Sequence, residues 1–181
     1  MATHLALFEH PQQALDLTGS FFGDTLLTQF MHMGWGHLLL NLAGLAVLAW
    51  GFESHISAKE DAFLLLGAWI LTAGYLSWIE PLRWYCGLSG ALHGVFVAKL
   101  LLTWDRHGIE KGPRWPLLVM GLGLIAKLLI EWFQNPGFDA LAGGPVAVEG
   151  HRGGVLAGLV LYAILRALRL FKTLNASPTS D

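Results

Sequence analysis

Three short stretches carry residue types that can do chemistry. Ser89 stands in Gly87-Leu88-Ser89-Gly90 at the head of a long apolar run, and His93 follows one helical turn later. His37 and Asn41 are four residues apart, so on a helix they share one face. His151 precedes Gly154 and Gly158, and Ser89 precedes Gly90 and Gly94 at the same spacing. A serine hydroxyl is a weak nucleophile at neutral pH and needs a base; His151 is the best candidate. Small residues four apart let helices pack backbone to backbone, which would bring Ser89 within about 3 Å of His151. A serine and histidine with no carboxylate would form a dyad. The side chains of His37 and Asn41 carry N–H donors for a developing oxyanion. The Ser89 backbone N–H, at a helix N-terminus, would add a third. Each feature also has a plainer account. The hydroxyl can bond its own helix, the glycines can serve packing alone, and His37 with Asn41 can be an interhelical hydrogen-bonding pair worth about 1 kcal/mol.

The elements that must position these residues are membrane spans. The chain has 181 residues, of which only 13% are charged, and a mean hydropathy of +0.53. A soluble domain carries about 25% charge, so the composition indicates a membrane protein forming one domain. A net charge of −2 gives no nucleic-acid signal, and the single cysteine excludes an internal disulfide and a four-thiolate metal site. The eight tryptophans lie mostly near the ends of apolar runs, as in an aromatic belt. The first twenty residues lack the basic and apolar regions of a secretory signal.

Five spans are expected: from Phe30 or His37 to Phe52, Ala62 to Ile79, Gly87 to Trp104, Trp115 to Phe133, and Gly154 to Phe171. Each has about 17–20 residues, enough to cross about 30 Å of hydrocarbon. The domain reading is residues 1–29 as a non-spanning N-terminal segment, 30–172 as the transmembrane domain and 173–181 as a polar cytoplasmic tail. Lys59, Arg106, Lys111, Arg114, Arg166, Arg169 and Lys172 fall on one side of such a bundle, and only Arg83 and Arg152 on the other. The C-terminus is therefore expected in the cytoplasm. Ser89, His37 and His151 then lie at one depth, near the outer ends of three different spans.

Other polar residues have simpler assignments. Lys127 and Glu131, four apart in the fourth span, form a structural ion pair. Lys99 snorkels to the cytoplasmic face, and Glu53 caps loop backbone. His32 and Glu149 are solvated near the site. Cys86 is a small packing residue, with a second nucleophile as the alternative. His93 can orient His151, move a proton, or simply be satisfied by a carbonyl or water.

In this order, His37-Leu-Leu-Leu-Asn41, Gly87-Leu-Ser89-Gly90 and His151-Arg-Gly-Gly154-Val-Leu-Ala-Gly158 resemble the three motifs of the rhomboid intramembrane serine proteases. The likeness covers roughly residues 24–171. It implies an all-α polytopic bundle with Ser89 as nucleophile, His151 as general base, and His37 and Asn41 as oxyanion donors. His93, Gly87, Gly90, Gly154 and Gly158 are supporting residues, with no cofactor and no metal. Cys86 before the serine motif and His93-Gly94 after it look most like the rhombosortase branch. That likeness implies transmembrane substrates in the lipid bilayer, with a C-terminal Gly-Gly motif, a helix and a basic tail. It also implies a bacterial inner membrane and a site open to the periplasmic side. The family has six core spans where five are recognisable here; Gly23-Asp24 stands near the place of a Trp-Arg pair, and His93 replaces a common tyrosine. Two competing classes remain: a non-catalytic rhomboid-like binder of membrane proteins, and a metal-dependent membrane protein using His37, His93 and His151 as ligands. A transporter is weaker, since no internal repeat is evident.

Overall fold

The computed structural model describes residues 22–52, 55–78, 85–106, 114–134 and 147–175, and every regular element among them is an α-helix. They are α1 (Phe22–Thr28), α2 (Trp35–Gly51), α3 (Ala58–Trp78), α4 (Ser89–Arg106), α5 (Trp115–Gln134) and α6 (Val148–Asn175). Glu53, Arg83, Lys111, the end of the second expected span at Ile79, and residues 1–21 and 176–181 lie outside the described residues.

The all-helical bundle expected from the sequence is the one observed. The helices α3, α5 and α6 are long and apolar enough to cross a membrane. Apolar α2 has 17 residues, and α4 has 18 but includes Lys99, Asp105 and Arg106. Large apolar side chains cover the outside, among them Leu39, Trp50, Leu122 and Phe133, while His37, Asn41, Thr72, Lys99, Glu131 and His151 are buried. A bundle in hydrocarbon has this distribution, because lipid solvates leucine and the interior must satisfy the polar groups.

At the centre stands α4, buried along most of its length from Gly90 to Thr103. Around Ala91, Leu92, Val95, Ala98 and Leu102 pack Leu48 and Phe52 of α2, Leu64 and Ala68 of α3, and Leu161 of α6. A capping box starts α3: Ser57 Oγ accepts the Glu60 N–H at 3.3 Å, and the Glu60 carboxylate accepts the Ser57 N–H at 3.0 Å. Short α1 is held on α3 by polar bonds. Thr25 Oγ1 meets Ser77 Oγ at 2.7 Å, Gln29 Nε2 donates to the Trp69 carbonyl at 3.0 Å, and Trp69 Nε1 donates to the Leu26 carbonyl at 2.9 Å.

The two ends of the bundle differ. At one end Arg106 donates to both oxygens of Glu60, at 3.1 and 2.9 Å, and Arg169 joins the same carboxylate. Arg166 lies 3.2 Å from Asp105. The opposite end holds the starts of α2, α4 and α6. Lys99 does not snorkel as expected. It is 1% exposed, donating to the Leu48 carbonyl at 2.8 Å and pairing with Asp61 at 2.5 Å. The reason is position: α4 is enclosed on several sides, so the ammonium finds its partners on α2 and α3.

Candidate active site

The helix α4 begins at Ser89, and α6 begins at Val148, earlier than the Gly154 expected, so His151 lies within the first turns of its helix. The glycines of these two helices interlock. A Cβ on Gly90 would stand 2.6 Å from the Gly150 carbonyl oxygen, and one on Gly94 would stand 2.7 Å from that of Gly154. A Cβ on Gly154 would collide with the Gly90 carbonyl, and one on Gly158 with that of Gly94. Only hydrogen at these positions permits the approach. Its result is a distance of 3.1 Å between Ser89 Oγ and His151 Nε2, within hydrogen-bonding range.

The other nitrogen of His151 is also engaged. Nδ1 lies 2.9 Å from Glu131 Oε2 and 3.3 Å from Lys127 Nζ. The expected i,i+4 pairing of Lys127 with Glu131 is present, through Oε1. Unforeseen is the second carboxylate oxygen on the histidine, which makes the group a serine–histidine–carboxylate row and not an isolated dyad. A carboxylate accepts and the contact to it is the shorter one, so Nδ1 carries the proton and Nε2 presents its lone pair to Ser89. The ends of α5 and α6 are further joined by Arg152 over the Trp132 ring at 4.0 Å. A signal for Glu131 exists in the sequence: it lies near the end of the fourth span, at the depth of Ser89 and His151.

His93 stacks on His151 with ring centroids 4.2 Å apart and planes at 23°. Its Nδ1 donates to the Ser89 carbonyl at 2.7 Å. Of the uses open to His93, packing against His151 is the one observed, together with the carbonyl bond.

His37 and Asn41 are both buried and face the serine. The Met33 backbone N–H donates to His37 Nδ1 at 3.4 Å, so in the neutral ring Nε2 carries the proton. The Asn41 Nδ2 amide is buried without a hydrogen-bond partner, which disagrees with a role as interhelical glue. Gly87 separates this pair from the serine loop. Its φ of +97° lies in the left-handed region, and a Cβ there would overlap the His37 ring and stand 3.3 Å from Asn41 Nδ2. Glycine is thus required twice, by the backbone and by the imidazole. Between the two sets lies a cavity of about 300 Å³, lined by His37, Asn41, Ser89, His93 and His151 with Leu40, Gly44 and Leu92.

Tyr85 escaped the sequence reading. It is 1% exposed, its hydroxyl receives the Gly90 N–H at 3.3 Å, and its ring fills the space beside Gly150. It thereby wedges the starts of α4 and α6 at a fixed spacing. Cys86 is buried, and burial pushes its thiol up to about 11 against a backbone hydrogen bond at Met33 that lowers it. A thiol so protonated is a poor nucleophile, in keeping with a packing residue. His32 is half-buried and not solvated as expected. Its ring meets His37 edge to face at 5.0 Å, and burial lowers its basicity.

Among the described residues no three of His, Cys, Asp and Glu converge as a metal ligand set. For His37, His93 and His151 the obstacle is geometric, since stacked rings do not aim two lone pairs at one ion. No curated protein and no solved structure matches the chain. The model of the Rhomboid domain matches residues 22–168. Most of the chain, including every residue of the site described above, falls inside that match, and the protein belongs to the rhomboid family of intramembrane proteases.

Proposed function

We propose that this protein is an active serine endopeptidase of the bilayer, and specifically a rhombosortase that removes C-terminal Gly-Gly transmembrane anchors. The observation that carries the first part is the 3.1 Å contact between Ser89 Oγ and His151 Nε2. His151 Nε2 takes the Ser89 proton as Oγ bonds to the scissile carbonyl carbon. The carbonyl oxygen becomes an anion facing His37 Nε2–H, the Asn41 amide and the Ser89 backbone N–H. One such donor is worth about 10²–10³ in rate. Collapse breaks the C–N bond, and the proton on His151 passes to the leaving amine. The acyl group on Ser89 is then released to water or to an amine acceptor, whose proton returns through His151.

What supports the substrate class is the likeness to the rhombosortase branch, through Cys86 before the serine motif and His93-Gly94 after it. The substrate is then a transmembrane protein with a Gly-Gly motif, a helix and a basic tail. The basic residues clustered at the Arg106 and Arg169 end support a cytoplasmic C-terminus in a bacterial inner membrane, with the Ser89 cavity toward the periplasm. In this proposal the domain runs over residues 30–172, preceded by a non-spanning segment and followed by a short polar tail.

Labelling of detergent-solubilised protein with a fluorophosphonate tests the chemistry. Wild type is labelled, and Ser89→Ala and His151→Ala are not. Labelling of Ser89→Ala would sink the mechanism. Absence of labelling in folded wild type would favour a non-catalytic binder. For the substrate class, a model protein with the Gly-Gly anchor is cut at that motif, and one with Leu-Leu in its place is not. Equal cutting of both would remove the rhombosortase assignment.

A further inference from the structure

We propose that Glu131 is the positioning residue of the Ser89–His151 pair, so that the protein works as a three-membered row in which Lys127 holds the carboxylate in place. This rests on the serine-hydrolase reading above and goes beyond the dyad which that reading needs.

The argument begins at His151 Nδ1. An imidazole acts as base through Nε2 only when its proton is on Nδ1. Two polar groups compete for Nδ1. Glu131 Oε2 at 2.9 Å accepts and keeps the proton on Nδ1; Lys127 Nζ at 3.3 Å only donates and would drive the proton to Nε2. With Glu131 present, the ammonium is drawn to Oε1 of the carboxylate. Without it, the Lys127 ammonium at 3.3 Å stays beside Nδ1 as a donor, and the imidazole turns its proton towards Ser89. The pair therefore has a directional effect on the base. Ion pairing alone would leave Glu131 free to face elsewhere, yet Glu131 is 7% exposed and His151 4%, and both carboxylate oxygens are used. The carboxylate also faces the charge that forms on His151 as it accepts the Ser89 proton, so its effect is larger in the transition state than at rest. Stacked His93 fixes the ring plane from the other side; Glu131 fixes rotation within that plane.

The test measures the second-order rate of fluorophosphonate labelling, the melting temperature in detergent, and the His151 tautomer by nitrogen-15 NMR of histidine-labelled protein. Glu131→Gln is expected to lose about 10²–10⁴-fold in labelling rate, as when the carboxylate of a serine–histidine–carboxylate triad is made an amide. Glu131→Asp recovers part of that loss, because a carboxylate is restored one methylene short. Loss of Glu131 alone takes a close carboxylate from the lysine, so a second variant, Lys127→Met/Glu131→Leu, replaces the pair with apolar side chains of similar size. This double variant is expected to melt near the wild-type temperature and still label at least about 100-fold slower. The His151 signal is expected to move away from the Nδ1-protonated form in it. A double variant that labels within threefold of wild type, with the tautomer unchanged, would overturn the proposal and leave Glu131 a structural ion-pair partner. The two levels of inference fail separately. Unlabelled wild type would sink the hydrolase reading, whereas the tautomer comparison reads the hold of Glu131 on His151 without any turnover.

Discussion

Replacement of Gly94 by alanine tests the claim that glycine packing, and not the motif residues themselves, sets the distance between Ser89 and His151. The added methyl would meet the Gly154 carbonyl oxygen at 2.7 Å, Ala68 Cβ at 3.1 Å and the Gly158 nitrogen at 3.4 Å. It is confined by α6 on one side and α3 on another, so it has no free direction. To reach an ordinary contact of about 3.4 Å with the carbonyl, α6 must retreat by about 0.7 Å. If α4 and α6 part as rigid bodies, the 3.1 Å between Ser89 Oγ and His151 Nε2 opens to about 3.8 Å, outside hydrogen-bonding range. A misplacement near 1 Å costs about 10²-fold in rate, so Gly94→Ala is expected to label with fluorophosphonate about 10- to 100-fold slower. Overpacking of this kind costs about 1–3 kcal/mol, which appears as a lower melting temperature. Gly123→Ala is the control. Nothing lies within 4 Å of a Cβ at Gly123 on α5, so the rate should stay at the wild-type value and the melting temperature should not fall, alanine being the better helix former. Gly94→Ala with wild-type labelling and melting would refute the reasoning, because the backbones would then not be in contact there.

Three other outcomes follow from single residues. Asn41→Ala should lower the labelling rate about 10²–10³-fold with little change in melting temperature, since the Asn41 Nδ2 amide has no partner to lose at rest; a large drop in melting with an unchanged rate would mean that the residue is structural. Lys99→Met strands the Asp61 carboxylate, itself a third exposed, and should destabilise by about 1–3 kcal/mol, with part of the loss recovered in Lys99→Met/Asp61→Asn. Cys86 should resist iodoacetamide at pH 8 in folded protein. A thiol at about 11 is about 0.1% thiolate there, against about 10% at the ordinary 9.0, so mass spectrometry should find alkylation roughly 100-fold slower than after denaturation.

The helices and the apolar exterior of the bundle were legible because a bilayer imposes length and composition on every span. The meeting of α4 and α6 was legible for a related reason. Glycines four apart have few purposes on an apolar helix, and Ser89 and His151 sit at corresponding points on two such faces. Glu131 was not read because Lys127 already offered it a sufficient partner. Nothing in an i,i+4 pair says that a carboxylate will spend its second oxygen elsewhere. The rotation of α5 about its axis decides that, and α5 is apolar over most of its circumference, so periodicity is silent. Lys99 failed differently. A lysine near the end of a span does snorkel when its helix faces lipid, but α4 is enclosed by α2, α3 and α6, which only the packing reveals. Tyr85 carries no motif at all, and its place depends on Gly90 and Gly150 coming together across 60 residues of chain.

In the proposed mechanism His37 and His151, one residue type, take opposite tasks in one cavity. Both are neutral imidazoles near the starts of helices, and both are nearly buried, at 8% and 4% exposed. What separates them is the neighbour at Nδ1. The backbone N–H of Met33 donates to His37, which leaves Nε2–H as a donor suited to an oxyanion. The carboxylate of Glu131 accepts from His151, which leaves Nε2 as an acceptor suited to the serine proton. Were the neighbours exchanged, the same two rings would offer a lone pair to the oxyanion and a proton to Ser89, and neither step could proceed. The proposed division of labour therefore rests on two contacts behind the rings. One of them is made by main chain, which no side-chain substitution at Met33 other than proline removes directly. The other is made by a side chain on α5, of whose described residues only Glu131 is buried. On the proposed mechanism the base is thus the half of the site open to perturbation from outside, and displacement of the α5 end that carries Glu131 is expected to disarm Ser89 before it disturbs the proposed oxyanion donors.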